Sequence, residues 1–161
     1  MTKWLNYVEE FIVVSSLIIM SVVAFGNVIT RNFFGLSLSF NEEITVNLFV
    51  LLTFVGTSIG VRENAHLGFS LLFDKSPLTI KRIIILLVGI LSILFFLIIT
   101  YYGFKMVQYQ LEVNKTTPAL GWPQWLFSLG LPFGTLLCII RSVEATLKEW
   151  KGLSLPQGGI K

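Results

Sequence analysis

The chain has 161 residues, of which 54% are hydrophobic and 13% charged, with a formal net charge of +3 and a mean hydropathy of +0.79. Soluble domains carry about 25% charge, so a soluble globular domain is excluded. The 12 Lys and Arg residues are spread over several loops and make no stripe, which leaves no basis for a nucleic-acid partner.

Four stretches contain no Asp, Glu, Lys, Arg or His: 11–30, 44–61, 83–104 and 119–140. At 1.5 Å per helical residue each covers roughly 27 to 33 Å, the thickness of a bilayer's hydrocarbon core. They lack period-two alternation and are about twice as long as a barrel strand needs. The expected architecture is therefore all-α, an integral membrane protein of four transmembrane helices. One four-helix membrane domain is expected over 1–151, followed by a polar cytoplasmic tail at 152–161.

The first run is longer than a signal peptide's apolar region, follows Glu9 and Glu10, and lacks an Ala-x-Ala cleavage pattern, so it is expected to remain in the mature protein. Near its end Asn27 lies at a depth similar to that of Asn47 in the second run, and the two are expected to hydrogen-bond to each other or to a partner helix. Arg31 precedes Glu42 and Glu43, and a pairing of Arg31 with Glu43 would also set an anion at a helix N-terminus. On the second helix Gly56-x-x-x-Gly60, sharing one face with Thr53 and Thr57, is a small-residue motif that permits close approach of another helix, from this chain or a different one.

The middle loop holds Arg62, His66 and the apolar residues Leu67, Phe69, Leu71, Leu72 and Phe73, which suit the membrane surface. Ser76-Pro77 reads as a helix start, and no breaker follows until Pro118. A third helix from Pro77 to about Val113 would be about 55 Å long, so it is expected to tilt or to project into water. In the fourth run Gly130 and Gly134 bracket Pro132, predicting a kink coincident with a close contact.

With four spans, nine Lys and Arg residues fall on the side of the termini and middle loop and only Arg31, Lys105 and Lys115 on the other, which puts both termini in the cytoplasm. Tyr101, Tyr102, Trp122 and Trp125 form an outer aromatic belt in that topology, with Trp4 and Trp150 at the cytoplasmic interface. The charge-free runs hold no acid, base or metal-ligand cluster; His66 and Cys138 are each the only residue of their type. No catalytic, cofactor-binding or metal site is expected, and the chain is not read as an enzyme.

The same positions carry a resemblance that spans nearly the whole chain. Asn27-Val28-x-x-Arg31-x-x-Phe34, Phe40-x-Glu42-Glu43, Gly56, Arg62-x-x-x-His66, Pro118-Ala119-Leu120, Pro123-x-Trp125 and Leu131-Pro132 resemble, in order and spacing, the DctQ-like small membrane subunit of tripartite ATP-independent periplasmic (TRAP) transporters. Phe40 departs from the pattern, where the family usually has Trp, but keeps an aromatic anchor. The resemblance implies a multi-pass subunit of the bacterial inner membrane that scaffolds a larger permease subunit, the carrier of the substrate and sodium sites. A periplasmic substrate-binding protein would deliver a carboxylate-bearing solute to this symport system. Asn27, Arg31, Phe40, Glu42, Glu43, Asn47, Gly56, Gly60, Arg62, His66, Trp125 and Pro132 are the candidate interface and anchoring residues. Alternatives are a self-sufficient four-helix homo-oligomeric exporter, which should carry a membrane-embedded carboxylate, or a membrane assembly protein.

Overall fold

The computed structural model describes residues 3–35, 39–63 and 77–154. His66, Ser76 and the apolar residues of the middle loop lie outside them, as does the tail beyond 154. The described residues form five helices: α1 (Lys3–Phe34), α2 (Phe40–Arg62), α3 (Leu78–Glu112), α4 (Gln124–Ser128) and α5 (Gly130–Ser154). Four candidate spans, with α4 and α5 counted as one, are long and apolar enough to cross a membrane.

The first three charge-free runs lie wholly inside α1, α2 and α3, each helix extending past its run at both ends. The fourth does not match. Residues 119–123 belong to a loop, and α5 continues 14 residues past the end of the run at 140. Absence of charge marks what avoids water, whereas helix ends are set by backbone chemistry. Here Pro118, Gly121 (φ 66°) and Pro123 close a tight loop with an isolated bridge between Thr116 and Pro123. The expected break near Pro132 is present: Pro132 has no N–H for the Ser128 carbonyl and its ring crowds that oxygen, and the helix is interrupted at Leu129. Beyond the break the ladder resumes, Phe133 N–H donating to Leu129 at 3.1 Å.

Spatial order differs from chain order. α1 packs on α2, α2 on α5, and α5 on α3, so the last helix stands between the second and third in an open row. Only 6% of the most apolar stretch of α1 is buried, against 39% for the span containing α5. α1 turns a 3.6-period seam of Glu9, Ile12, Val13, Ser16, Met20, Val23 and Asn27 inward, while Tyr7, Phe11, Ile18, Val22 and Phe25 face out. α3 has 35 residues, about 52 Å of helix, which exceeds the hydrocarbon thickness and requires tilt or projection.

Glycines let α5 approach its neighbours closely. A Cβ on Gly134 would sit 2.5 Å from Phe54 Cβ of α2, and one on Gly130 would meet Leu51 at 3.4 Å. Toward α3, a Cβ on Gly89 would overlap Thr146, and one on Gly103 would lie 2.5 Å from Leu131 Cδ2. The Thr100 hydroxyl donates to Thr135 Oγ1 at 2.8 Å, and Thr135 donates to the Leu131 carbonyl at 3.0 Å, so two buried hydroxyls tie α3 to α5. The single cysteine, Cys138, is fully buried and donates its S–H to the Phe54 carbonyl at 3.1 Å.

Candidate functional site

At one end of the row the structure gathers charges from three helices. Glu9 of α1 is fully buried and Arg141 of α5 is 3% exposed. The Arg141 guanidinium grips Glu9 with two parallel bonds, Nε to Oε1 at 2.9 Å and Nη2 to Oε2 at 2.8 Å. This fork is the strongest common geometry for a carboxylate. Ser58 of α2 donates to Glu9 Oε1 at 2.7 Å, so the carboxylate touches both neighbouring helices. Arg141 also donates to Asn6 Oδ1 at 2.6 Å and Glu144 Oε2 at 2.7 Å.

Arg62, at the end of α2, adds a second cation. Its Nη1 lies 3.7 Å from Glu9 Oε2, its Nη2 bonds Glu10 at 3.2 Å and its Nε bonds Glu63 at 3.1 Å. Burial of charge is costly unless each ion is paired and its remaining donors and acceptors are used. Glu9 and Arg141 meet that condition, and the result is a clamp joining α1, α2 and α5.

Charge outside the four apolar runs is therefore not all in water: Glu9 is fully buried and Arg141 nearly so. Glu9 and Arg141 flank charge-free runs and resemble solvated anchors in sequence, yet they lie within continuous helices and inside the packing. Sequence motifs point to Arg62 but not to Glu9, Arg141 or Ser58. The available signal was topological: Glu9, Arg62 and Arg141 each border an apolar run on the same side of the expected membrane.

At the opposite end Glu43, in the first turn of α2, accepts N–H bonds from Ala119 at 2.6 Å and Leu120 at 3.2 Å. Its carboxylate thus holds the Pro118–Leu120 segment, uniting two of the sequence elements singled out above. The pairing expected between Arg31 and Glu43 is not formed: both Glu43 oxygens face the loop backbone, and Arg31 is exposed. Unsatisfied backbone N–H groups of a loop offer a carboxylate more than an exposed, hydrated guanidinium does. Glu42 is exposed, and Phe40 and Trp125 are half-buried. Within the loop, Thr117 N–H donates to Trp122 O at 2.8 Å and Gln124 N–H to Lys115 O at 2.9 Å. Trp122 remains 59% exposed.

Asn47 is half-buried and donates to the Glu43 carbonyl of its own helix at 2.6 Å. It also lines a lateral groove of about 470 Å³ with Leu51, Phe104, Gly130, Pro132 and Phe133. Asn27 lies on the α1 seam, its carbonyl accepting from Thr30 at 3.1 Å. Gly56 and Gly60 are the opposite of Gly130 and Gly134: a Cβ at either meets nothing within 4 Å. Among the described residues nothing packs against these two positions. Among the described residues no group of three or more His, Cys, Asp and Glu side chains is placed to hold a metal.

Residues 20–152 match the family model described as the DctQ component of tripartite ATP-independent periplasmic transporters. The chain is 25% identical over 145 residues to the ectoine TRAP transporter small permease protein TeaB of Halomonas elongata, covering 90% of this chain and 75% of that one. It is 31% identical over 110 residues to the C4-dicarboxylate TRAP transporter small permease protein DctQ of Rhodobacter capsulatus, covering 68% of this chain and 48% of that one, about half its length. It is also 23% identical over 151 residues to the sialic acid TRAP transporter permease protein SiaT of Haemophilus influenzae, where 92% of this chain matches 24% of a much longer one. With four apolar spans and a family match over most of its length, this multi-pass membrane protein belongs to the DctQ component family of tripartite ATP-independent periplasmic transporters.

Proposed function

We propose that this chain is the small permease subunit of a TRAP transporter of the bacterial inner membrane and serves as a static helical scaffold for a separate, larger permease chain. The observation that carries the reading is the open row of helices. It is clamped internally by Glu9, Arg141 and Ser58, yet among the described residues nothing meets a side chain added at Gly56 or Gly60. A face where backbone can approach backbone suits a transmembrane helix of another chain. Similarity to one quarter of a longer permease chain supports a large partner.

In this reading the larger chain holds the substrate and sodium sites, and a periplasmic binding protein delivers a carboxylate-bearing solute. The ends carrying Glu9 and Arg141 face the cytoplasm, and the Glu43-anchored loop faces the periplasm. Glu42, Phe40, Trp125 and Arg31 then lie at the outer interface. The fully buried carboxylate of Glu9 is the kind of group a self-sufficient exporter would need, but its forked pairing with Arg141 commits it to packing.

Purification of the tagged chain from native membranes, followed by mass spectrometry, tests the proposal. A large polytopic protein in stoichiometric amount is expected. Gly56→Leu with Gly60→Leu should reduce its recovery while the variant chain still inserts and keeps Cys138 protected from thiol reagents. Recovery of a homo-oligomer alone, or solute transport by this chain alone in liposomes, would overturn the scaffold reading.

A further inference from the structure

A small pocket of about 50 Å³ lies between α3 and α5, with Val61 of α2 at its edge. Its polar lining comes from Ser92, Ser142, Thr146 and Glu149; Ile85, Val88 and Gly89 supply apolar walls. Ser142 is 3% exposed, and its hydroxyl is buried without a hydrogen-bond partner. That is unusual within a helix, where a hydroxyl can fold back onto the carbonyl one turn earlier. Thr53, Thr57, Thr135 and Thr146 all do so, at 2.7 to 3.0 Å. Ser142 instead leaves its hydroxyl in the pocket lining, with a donor and acceptor unused, a state that costs free energy unless something fills it.

At about 50 Å³ the pocket is large enough for water. A buried water requires about 10 to 15 Å³ measured in this way and two to four polar partners. Thr146 spends its proton on the Ser142 carbonyl at 2.7 Å, which leaves oxygen lone pairs to accept from a water. Ser92 contributes a further hydroxyl to the lining. We infer that this pocket is a hydration site holding one or a few ordered waters, which bridge Ser142 and Thr146 of α5 to Ser92 of α3. The bridge sits beside Gly89, where a Cβ on α3 would overlap Thr146 of α5, and completes polar contacts that direct packing leaves open. Three hydroxyls and one carboxylate fall short of the oxygen shell a cation needs, which favours a neutral occupant.

Synchrotron hydroxyl-radical footprinting of the full chain in lipid nanodiscs tests the site, because radicals formed from a bound water label the residues beside it. Ile85, 4% exposed, is expected to be labelled well above the fully buried Val55. Ser142→Ala should lower Ile85 labelling about fivefold, the factor set by loss of one hydrogen bond. Ala145→Val, which adds two carbons to the lining while keeping the Ser142 hydroxyl, should lower it as well. Ile85 labelling no higher than that of Val55 in the unaltered chain would overturn the inference, whatever the variants do. Unchanged labelling in both variants would also overturn it. Replacement of sodium by choline should leave labelling unchanged; dependence on sodium would assign the pocket to a cation instead.

Discussion

Replacement of Arg141 by Met strips Glu9 of both guanidinium bonds and leaves it with Ser58 at 2.7 Å and Arg62 at 3.7 Å. Each lost bond to a charged group is worth about 1.5 to 3 kcal/mol, and orphaning a buried charge costs about 3 to 5 kcal/mol, so the two routes agree. The reverse change, Glu9→Met, is milder. Arg141 keeps Asn6 at 2.6 Å and Glu144 at 2.7 Å, and Glu144 is 33% exposed and in reach of water. The double variant, with two apolar side chains of similar volume, is expected within about 1 kcal/mol of the wild type, because replacing a whole buried pair is often neutral. Cys138 supplies the assay. It is the only cysteine and is fully buried, so a thiol-reactive dye reports unfolding of the chain in nanodiscs as temperature rises. At about 2 to 4 °C per kcal/mol for a chain of this size, Arg141→Met should lower the midpoint by roughly 6 to 20 °C, Glu9→Met by less, and the double variant by least. A midpoint for Arg141→Met within about 2 °C of the wild type, or a double variant less stable than either single one, would refute the clamp.

Two further outcomes follow from local geometry. Gly134→Ala places a methyl 2.5 Å from Phe54 Cβ and should cost about 1 to 3 kcal/mol through overpacking, whereas Gly56→Ala enters open space and should be neutral or slightly stabilising in the isolated chain; the Cys138 dye assay reads both. Glu43→Ala frees the N–H groups of Ala119 and Leu120, so their amide hydrogen exchange should accelerate about tenfold, the effect of roughly 1.4 kcal/mol, with exchange in α3 unchanged.

Much of this architecture is written in the distribution of charge. Ile83 to Phe104 has no polar face, so only lipid or protein can surround it, and α3 follows. Pro132 is equally legible, since a residue without an N–H interrupts the hydrogen-bond ladder when it falls inside a helical run. The clamp was hidden because one sequence cannot distinguish a charge that ends a span from a charge buried beside it. Glu9 and Arg141 are 132 positions apart, and only the packing of α1, α2 and α5 brings them together. Glu43 was legible as a helix-start anion, but its partner was not, because backbone N–H groups leave no trace in side-chain identity. The two glycine pairs look alike in sequence and separate only by what stands opposite each: Phe54 faces Gly134, and no described residue faces Gly56.

The placement of α5 between α2 and α3 has a consequence for biosynthesis. Domains synthesised from the N-terminus generally begin to fold before the chain is complete. Here α1 can pair with α2 as soon as both are inserted, but α3 enters the bilayer with its main neighbour not yet made. The helix made after it, α5, is a keystone, so the nascent membrane protein passes through a stage in which α3 is a bystander in lipid. A chain truncated before Gly130 should therefore leave an α1–α2 hairpin and a stray third span for quality-control proteases to recognise.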